Sequence, residues 1–445
     1  MKKVLLVLLL FLFIYNIPFV FLPVSTAKLV LAISFFLFLV YFLIKKNGLN
    51  RLYLNRRIMS PFLLVVLLIF YSFATNVFHG TNDYTFIYTY SLFIIEYVLG
   101  AAIIIYLIWK VEAEPRNKRP AIDIFLDSFI LMCVVQSILI YGMMFIQPFR
   151  DFSFSILESE RRLEVFERYG GFRGLGYAST VTYDFAVLQS FALMLIARQL
   201  FFKTNFSKRQ LWQYMIAYVL IFGGVLVSGR TGFIGVGMSF ILMGLFSIRY
   251  RTSQLFFNKR VNGVLLVIFT LLGVVWMFYG LFVDDDIKTL IEEGVFNYAF
   301  EMITNLFETG SATTRSTERL STMYFPVPTS TLIFGDGVYF YEGGGFYKST
   351  DAGYMRQMLF YGVIGSFLLY LFYIVLNLKI NGSKVSKEFK LLFFLLIVYM
   401  FIVQYKGDIM MGSPFCIKFI FIFYLLLMSH AGKCKSKPVL PSTVA

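Results

Sequence analysis

Long apolar segments restrict this chain to one kind of structure. A helix needs roughly 20 apolar residues to cross the hydrocarbon core of a bilayer, and about twelve segments qualify among the 445 residues. Charged residues occupy only 15% of the positions, against about 25% in soluble proteins. The sequence therefore predicts an all-α integral membrane protein, a polytopic bundle that forms a single membrane domain over residues 1–445. The predicted spans are 4–22, 26–44, 60–78, 88–109, 123–147, 180–201, 212–229, 231–248, 261–283, 353–378, 390–405 and 412–430.

Basic residues are unevenly distributed over the connections between these spans. If the N-terminus is cytoplasmic, 26 of the 40 lysines and arginines fall on the cytoplasmic side. The positive-inside rule then places both termini in the cytoplasm. The formal charge of +15 is mostly a topology signal and indicates no nucleic-acid partner. The N-terminal Met1-Lys2-Lys3 and its apolar run resemble a signal peptide, but a second apolar span follows at once, which favours an uncleaved first helix.

Two sizeable loops are predicted on the outer side, at about 149–180 and 284–352. Arginine outnumbers lysine there by 9 to 5, whereas lysine outnumbers arginine by 16 to 10 on the cytoplasmic side. Arginine binds phosphate through a planar, bidentate fork, so this enrichment indicates a site for a phosphorylated lipid. The alternative is ion pairing with acidic residues of the first loop, which are Glu158, Glu160, Glu164 and Glu167.

Several ionisable residues lie within the predicted spans, where they are costly and often functional. Those in the outer halves of their helices are Glu96, Asp184, Arg356 and Lys418, whereas Asp127 lies near an inner end. Ion pairing between helices is the alternative for each of them. A transporter would place such groups near the midplane on paired broken helices, and the sequence shows no such pairing. The three cysteines have no spacing that predicts a disulfide or a metal site, so no cofactor is expected.

Arg230 occupies the turn Val227-Ser228-Gly229-Arg230-Thr231-Gly232 of a predicted tight hairpin. The start of the following helix offers backbone N–H groups that favour an anion beside this guanidinium. Glycines at 229, 232, 235 and 237 would allow close approach of another backbone or a lipid. A snorkelling interfacial arginine on a glycine-packed hairpin is the alternative.

The second outer loop contains three further patterns. Apolar residues follow helical spacing from Ile287 to Phe307, which predicts an amphipathic helix on the membrane or over the site. Arg315 and Arg319 are four residues apart and would share one face of a helix. Aromatic residues surround the run Gly343-Gly344-Gly345 and suit either sugar stacking or an interfacial belt; they are Tyr339, Phe340, Tyr341, Phe346 and Tyr347.

The order of these motifs resembles the O-antigen and capsular polysaccharide polymerases. Members of that family have many membrane helices, a serine-glycine-arginine turn that opens one helix, and a large outer loop that ends in glycine-rich and aspartate-glycine-aromatic stretches. The matching segments cover roughly 160–370; they are Ser228-Gly229-Arg230-Thr231-Gly232, Phe334-Gly335-Asp336-Gly337, Ser349-Thr350-Asp351-Ala352-Gly353-Tyr354-Met355-Arg356 and Tyr361-Gly362-Val363-Ile364-Gly365.

The resemblance implies a class C glycosyltransferase-like fold and a metal-independent transfer at the outer leaflet of the bacterial inner membrane. A glycan on undecaprenyl pyrophosphate would pass onto a newly flipped repeat unit, which needs phosphate-binding cations and a base for the incoming hydroxyl. The expected base is Asp351, with Asp336 second, although Asp351 could instead cap the following helix. The expected substrate-binding residues are Arg230, Arg173, Arg315, Arg319, Arg168, Arg356 and Tyr354.

Two other functions fit parts of the same pattern. The related ligases, which move finished O-antigen onto lipid A-core, also use a histidine in the large outer loop; here the only histidines are His79 and His430, outside that loop. A repeat-unit flippase or other transporter would show pseudo-symmetric halves with little mass outside. Control of chain length would require a partner, and the resemblance points to a membrane-anchored chain-length regulator.

Overall fold

The structure is a computed structural model. It describes residues 2–44, 56–114, 119–157, 160–168, 174–180, 183–202, 207–229, 231–249, 314–341 and 344–433, together with residues 301, 305, 307, 308 and 310. The ninth predicted span and the amphipathic helix predicted over 287–307 lie almost entirely outside these residues. The fold below is therefore that of the described ranges.

Helices make up nearly all of the regular structure in these ranges. A π-helical turn at Phe93–Val98 joins α5 (Thr85–Leu92) to α6 (Leu99–Glu112). A small antiparallel hairpin is formed by β1 (Phe340–Tyr341) and β2 (Gly345–Phe346). The helices are α1 (Lys2–Tyr15), α2 (Thr26–Ile44), α3 (Arg56–Met59), α4 (Phe62–His79), α5 (Thr85–Leu92), α6 (Leu99–Glu112), α7 (Ala121–Phe145), α8 (Gln147–Ile156), α9 (Glu160–Arg168), α10 (Tyr183–Phe202), α11 (Lys208–Ser228), α12 (Gly232–Arg249), α13 (Arg315–Thr322), α14 (Thr329–Phe334), α15 (Gly353–Asn381), α16 (Lys387–Gln404) and α17 (Pro414–Lys433).

The predicted all-α membrane architecture is confirmed. Within the described ranges, six helices are long and apolar enough to cross a bilayer, and three shorter helices are also apolar. The six are Phe62–His79, Thr85–Glu112, Ala121–Phe145, Asp184–Phe202, Lys208–Ser228 and Gly353–Asn381. The helical hairpin of α11 and α12 is as tight as predicted, since α11 ends at Ser228 and α12 begins at Gly232.

The first predicted span is shorter than the sequence pattern indicates. Helix α1 ends at Tyr15 rather than near residue 22. Asn16 adopts a left-handed conformation with φ 48°, and Pro18 shortly after it has no N–H to continue the helical hydrogen bonds. The side chains of Asn16 and Thr26 accept hydrogen bonds from Ala27 N and Ile17 N, at 3.1 and 2.6 Å, so the chain turns directly into α2.

Helices α10 and α17 form the centre of the bundle. Almost 90% of the α10 span is buried (89%), and every side chain of α17 from Phe415 to Leu427 is buried. A helix that is apolar on all sides has to be surrounded by other helices or by lipid, and α10 packs against α7, α11, α12, α16 and α17. Helix α4 instead exposes Leu63, Phe70 and Val77, which form an apolar surface suited to lipid.

The glycine motifs of the second loop join two backbones at a break in helix α15. Gly362 has φ 63° and ψ −170° in the middle of that helix, and Gly335 has φ 79° at the end of α14. The break leaves carbonyl groups without helical partners, and the loop supplies replacements: Asp336 N donates to Leu359 O at 2.6 Å, and Gly337 N donates to Phe360 O at 3.2 Å. Irregular backbone at membrane depth requires this kind of internal pairing.

Two of the intramembrane charges form an ion pair between helices. Lys418 Nζ lies 2.7 Å from Glu96 Oε1, and both side chains are almost fully buried. The same ammonium donates to Phe13 O at 2.9 Å. For Glu96 and Lys418 the ion-pair alternative is therefore the correct one, and neither belongs to the site described below.

Candidate functional site

A cavity of about 880 Å³ lies at the end of the bundle that is predicted to face outward. Its walls come from five separate connections that the predicted topology places on that side, including both long loops. The first loop contributes Glu164, Val165 and Thr180, and the second contributes Ser316, Arg319, Leu320, Met323, Tyr339, Phe340, Phe346 and Asp351. Helix starts and the short connections supply the rest, among them Phe86, Tyr97, Asp184, Gly229, Thr231, Arg356, Lys406 and Asp408.

Arg356 is the most unusual side chain in the cavity wall. Its guanidinium carbon lies 4.1 Å from the centre of the Tyr339 ring and 3.5 Å from that of Phe346, so the group is held between two aromatic rings. The residue is only 8% exposed. Within the described part of the chain its guanidinium makes no hydrogen bond or ion pair, and its buried Nε has no partner. A buried charge whose described contacts are only aromatic faces is costly, so an anion placed in the cavity beside Arg356 would be stabilised.

Asp83 holds in place the β1–β2 hairpin, which carries Phe346 and follows directly after Tyr339. The Asp83 Oδ2 atom accepts hydrogen bonds from Tyr339 N at 2.6 Å and Phe340 N at 3.0 Å. Phe340 and Phe346 pair across the two strands, with ring centres 5.4 Å apart. Three of the five aromatic residues near the glycines thus line the cavity, namely Tyr339, Phe340 and Phe346, whereas Tyr341 and Tyr347 do not.

Asp408 is a second buried charge of the cavity wall, and the sequence pattern did not single it out. It is 1% exposed and lies in the connection between α16 and α17. Its Oδ2 accepts a hydrogen bond from the Tyr339 hydroxyl at 2.8 Å, and its Oδ1 accepts one from Gln357 Nε2 at 2.9 Å. The only sequence signal was a carboxylate in a six-residue link between two predicted spans.

Asp351, the expected base, lines the cavity with an exposed side chain. Its carboxylate makes no hydrogen bond or ion pair with the residues that the structure describes. The capping alternative is wrong, because the residue in the N-cap position of α15 is Ala352 and no side chain caps that helix. Thr350 Oγ1 donates to Met323 O at 3.1 Å, which fixes the backbone beside Asp351 against the end of α13.

Asp336, the second candidate base, lies outside the cavity wall. Its carboxylate accepts a hydrogen bond from Thr331 Oγ1 at 2.6 Å and pairs with Lys348 Nζ at 3.4 Å. Burial, together with this carboxylate, raises the pKa of Tyr347 to about 12. Asp336 therefore lies beside the junction of α14 and α15 and does not line the cavity.

The predicted helix that carries Arg315 and Arg319 is present as α13. Thr314 caps it by accepting a hydrogen bond from Thr317 N at 3.2 Å. Arg319 lines the cavity with an exposed side chain; the side chain of Arg315, one turn earlier, lies outside the described part. Both cations of this pair were expected to bind phosphate, and the structure places one of them at the cavity.

The remaining predicted residues divide into two groups. Arg173 and Arg230 lie outside the described residues, as does the side chain of Arg168, although both neighbours of Arg230 (Gly229 and Thr231) line the cavity. Tyr354 does not line it: its hydroxyl donates to Phe401 O at 2.7 Å and its ring packs against Tyr370, so it connects α15 to α16.

Not every outer arginine is available to a ligand. The Arg162 guanidinium donates to Gly176 O at 2.8 Å and also to Ala178 O, which holds the end of the first loop in place. Arg150 stacks on the Phe166 ring, 5.1 Å from its centre. The enrichment of arginine in this loop thus has a partly structural cause.

Comparison with known proteins gives no independent assignment. No protein-family model matches the chain, and neither the curated proteins nor the solved structures contain a match. The functional interpretation therefore depends on the cavity and on the sequence motifs that surround it.

Proposed function

We propose that the protein is a membrane glycosyltransferase that polymerises oligosaccharide repeat units carried on undecaprenyl pyrophosphate at the outer leaflet of the bacterial inner membrane. The observation that carries the proposal is the Arg356 guanidinium, buried between two rings and open only to a large cavity between the outer loops. The motif order described above supplies the choice of polymer chemistry.

The proposed reaction exchanges a glycosyl–phosphate bond for a glycosidic bond. A hydroxyl of the terminal sugar on the incoming repeat unit attacks the anomeric carbon of the growing glycan. The new carbon–oxygen bond forms as the bond to pyrophosphate breaks, and undecaprenyl pyrophosphate leaves with the bonding electrons. The proton of the attacking hydroxyl passes to Asp351, which acts as general base.

The cations of the cavity act on the leaving group in this scheme. Negative charge grows on the bridging oxygen and the diphosphate as the bond breaks, so fixed guanidinium groups stabilise the transition state more than the ground state. Arg356 is prepositioned by its two rings, and Arg319 extends from α13 in the second loop. Arg230 and Arg315, whose side chains lie outside the described part, are the further candidates.

The ligase alternative lacks its characteristic residue in this cavity. The histidine used by the related ligases has no counterpart in the second loop, and His79, at the end of α4, is not part of the cavity wall. The transporter alternative has no specific support, because the charged residues of the cavity wall lie near the end of the bundle that is predicted to face outward and not near the midplane.

The direct test uses the purified chain in lipid nanodiscs with the host's undecaprenyl-pyrophosphate-linked repeat unit. We expect products longer by whole repeat units, with release of one undecaprenyl pyrophosphate per bond. Arg356→Gln should lower kcat/KM by about 100-fold, as expected for loss of a cation at the developing charge. Arg150→Gln, which removes an arginine outside the cavity, should retain the activity. Absence of elongation by the wild-type protein would refute the proposal.

A further inference from the structure

We infer that Asp408 and Tyr339 are positioning residues: together they hold the Arg356 guanidinium in place while leaving its N–H donors open to a diphosphate ligand. The inference depends on the proposed function for the identity of that ligand, the diphosphate of a lipid carrier. Its structural part, an anion site at Arg356 that requires the Asp408–Tyr339 contact, can be tested without any transferase assay.

Four side chains form one series of contacts in the cavity wall. Asp408 Oδ2 accepts a hydrogen bond from the Tyr339 hydroxyl at 2.8 Å. The Arg356 guanidinium carbon lies over the Tyr339 ring, 4.1 Å from its centre, and over the Phe346 ring at 3.5 Å. The carboxylate thus meets the hydroxyl at the edge of the Tyr339 ring while the guanidinium lies over its face, and no direct ion pair forms between them.

This indirect arrangement suits a ligand-binding arginine better than a direct ion pair would. A carboxylate in contact with the guanidinium would take up the N–H donors that a diphosphate needs. A phenol that donates to a buried carboxylate instead becomes more electron-rich, which strengthens its attraction for a cation on its face. Asp408 therefore acts on Arg356 through the ring and leaves the fork of donors available.

Asp408 also has a structural role, and the test must separate the two. Its Oδ1 accepts hydrogen bonds from Gln357 Nε2, from Gln404 Nε2 and from Met411 N, at 2.9, 3.3 and 3.2 Å. Gln404 in turn accepts hydrogen bonds from Ile409 N and Met410 N, so the buried α16–α17 connection depends on this pair. Substitution of Asp408 would disturb that connection, whereas Tyr339→Phe removes only one hydroxyl and keeps the ring.

The experiment measures binding of inorganic pyrophosphate to the full-length protein in nanodiscs at fixed ionic strength. The variants are Arg356→Gln, Tyr339→Phe and Tyr339→Leu, with Tyr341→Phe as the matched control, since Tyr341 lies in the same hairpin but not in the cavity wall. We expect Arg356→Gln to abolish saturable binding. Tyr339→Phe should weaken it about 3- to 10-fold and Tyr339→Leu further, as expected for a weakened and then lost cation–π contact. Tyr341→Phe should bind as the wild type does.

Two outcomes would overturn the inference. One is wild-type pyrophosphate affinity in a folded Tyr339→Phe protein, and the other is binding that survives Arg356→Gln. Undecaprenyl pyrophosphate should displace the inorganic anion; failure to do so would overturn its assignment as a lipid headgroup site.

A kinetic readout separates positioning from catalysis. In the elongation assay, Tyr339→Phe should lower kcat/KM for the lipid-linked donor by at least the same 3- to 10-fold, through a raised KM and a lowered kcat, because Arg356 binds the ground state and binds the transition state more tightly; a lowered kcat with an unchanged KM would contradict a positioning role. A protein that binds pyrophosphate through Arg356 but elongates no glycan would refute the proposed function and leave the anion site intact.

Discussion

Replacement of Gly362 by alanine is expected to destabilise the protein by about 3–6 kcal/mol. Its φ of 63° with ψ of −170° is a conformation that costs other residues about 1–3 kcal/mol. A Cβ atom there would also lie 2.5 Å from Phe334 N and still closer to the Ile333 carbonyl. The two backbones would have to separate, which weakens the hydrogen bonds of Asp336 N and Gly337 N, each contributing about 1 kcal/mol.

The assay is thermal unfolding in detergent, followed by the fraction of protein that remains monodisperse on size exclusion. A loss of this size should lower the apparent midpoint by roughly 3–6 °C in a chain of 445 residues. The matched control is Gly237→Ala in α12, where an added Cβ meets nothing within 4 Å; it should be neutral or slightly stabilising, because alanine favours helix. A Gly362→Ala protein that melts with the wild type would refute the proposed role of these glycines.

Two further predictions follow from buried and exposed charges. Lys418→Met leaves the Glu96 carboxylate unpaired in the core and should lower the free energy of unfolding by about 3–5 kcal/mol. Adding Glu96→Leu should restore most of that stability. A double-mutant cycle of thermal midpoints measures the coupling, and additive losses would argue against a coupled pair. Asp351→Asn should reduce elongation by about 10²- to 10⁴-fold without changing the melting midpoint, because its carboxylate makes no hydrogen bond or ion pair with the described residues; full polymer length would exclude Asp351 as the base.

The helices could be predicted from the sequence because each depends on local composition. The apolar segments specify α4, α7, α10, α11 and α15, and the interval between Ser228 and Gly232 specifies the tight hairpin. The end of α1 is an exception. The apolar run predicts a helix to about residue 22, but Asn16 and Pro18 end it at Tyr15. For a helix boundary, one or two residues decide the outcome.

The site could be predicted only in part, because its residues depend on long-range pairing. Arg356 follows from the rule that charge within a membrane helix is costly, Asp351 follows from the motif resemblance, and both line the cavity. Tyr354 and Asp336 belong to the same motifs but do not line the cavity. Their positions depend on the rotation of α15 and on its junction with α14, which local sequence does not specify. Asp408 belongs to the site because the Tyr339 hydroxyl donates a hydrogen bond to it, and this contact joins residues that are far apart in the sequence.

The central claim, that this protein polymerises lipid-linked repeat units, is tested most directly by deleting its gene in the native host and separating the lipopolysaccharide on a gel. We expect the lipopolysaccharide ladder to collapse to core plus a single repeat unit. A plasmid copy of the wild-type gene should restore the ladder, whereas a copy encoding Arg356→Gln should not. Bare core with polymer stranded on its lipid carrier would indicate a ligase and contradict the account, as would bare core with repeat units trapped on the inner leaflet, which would indicate a flippase.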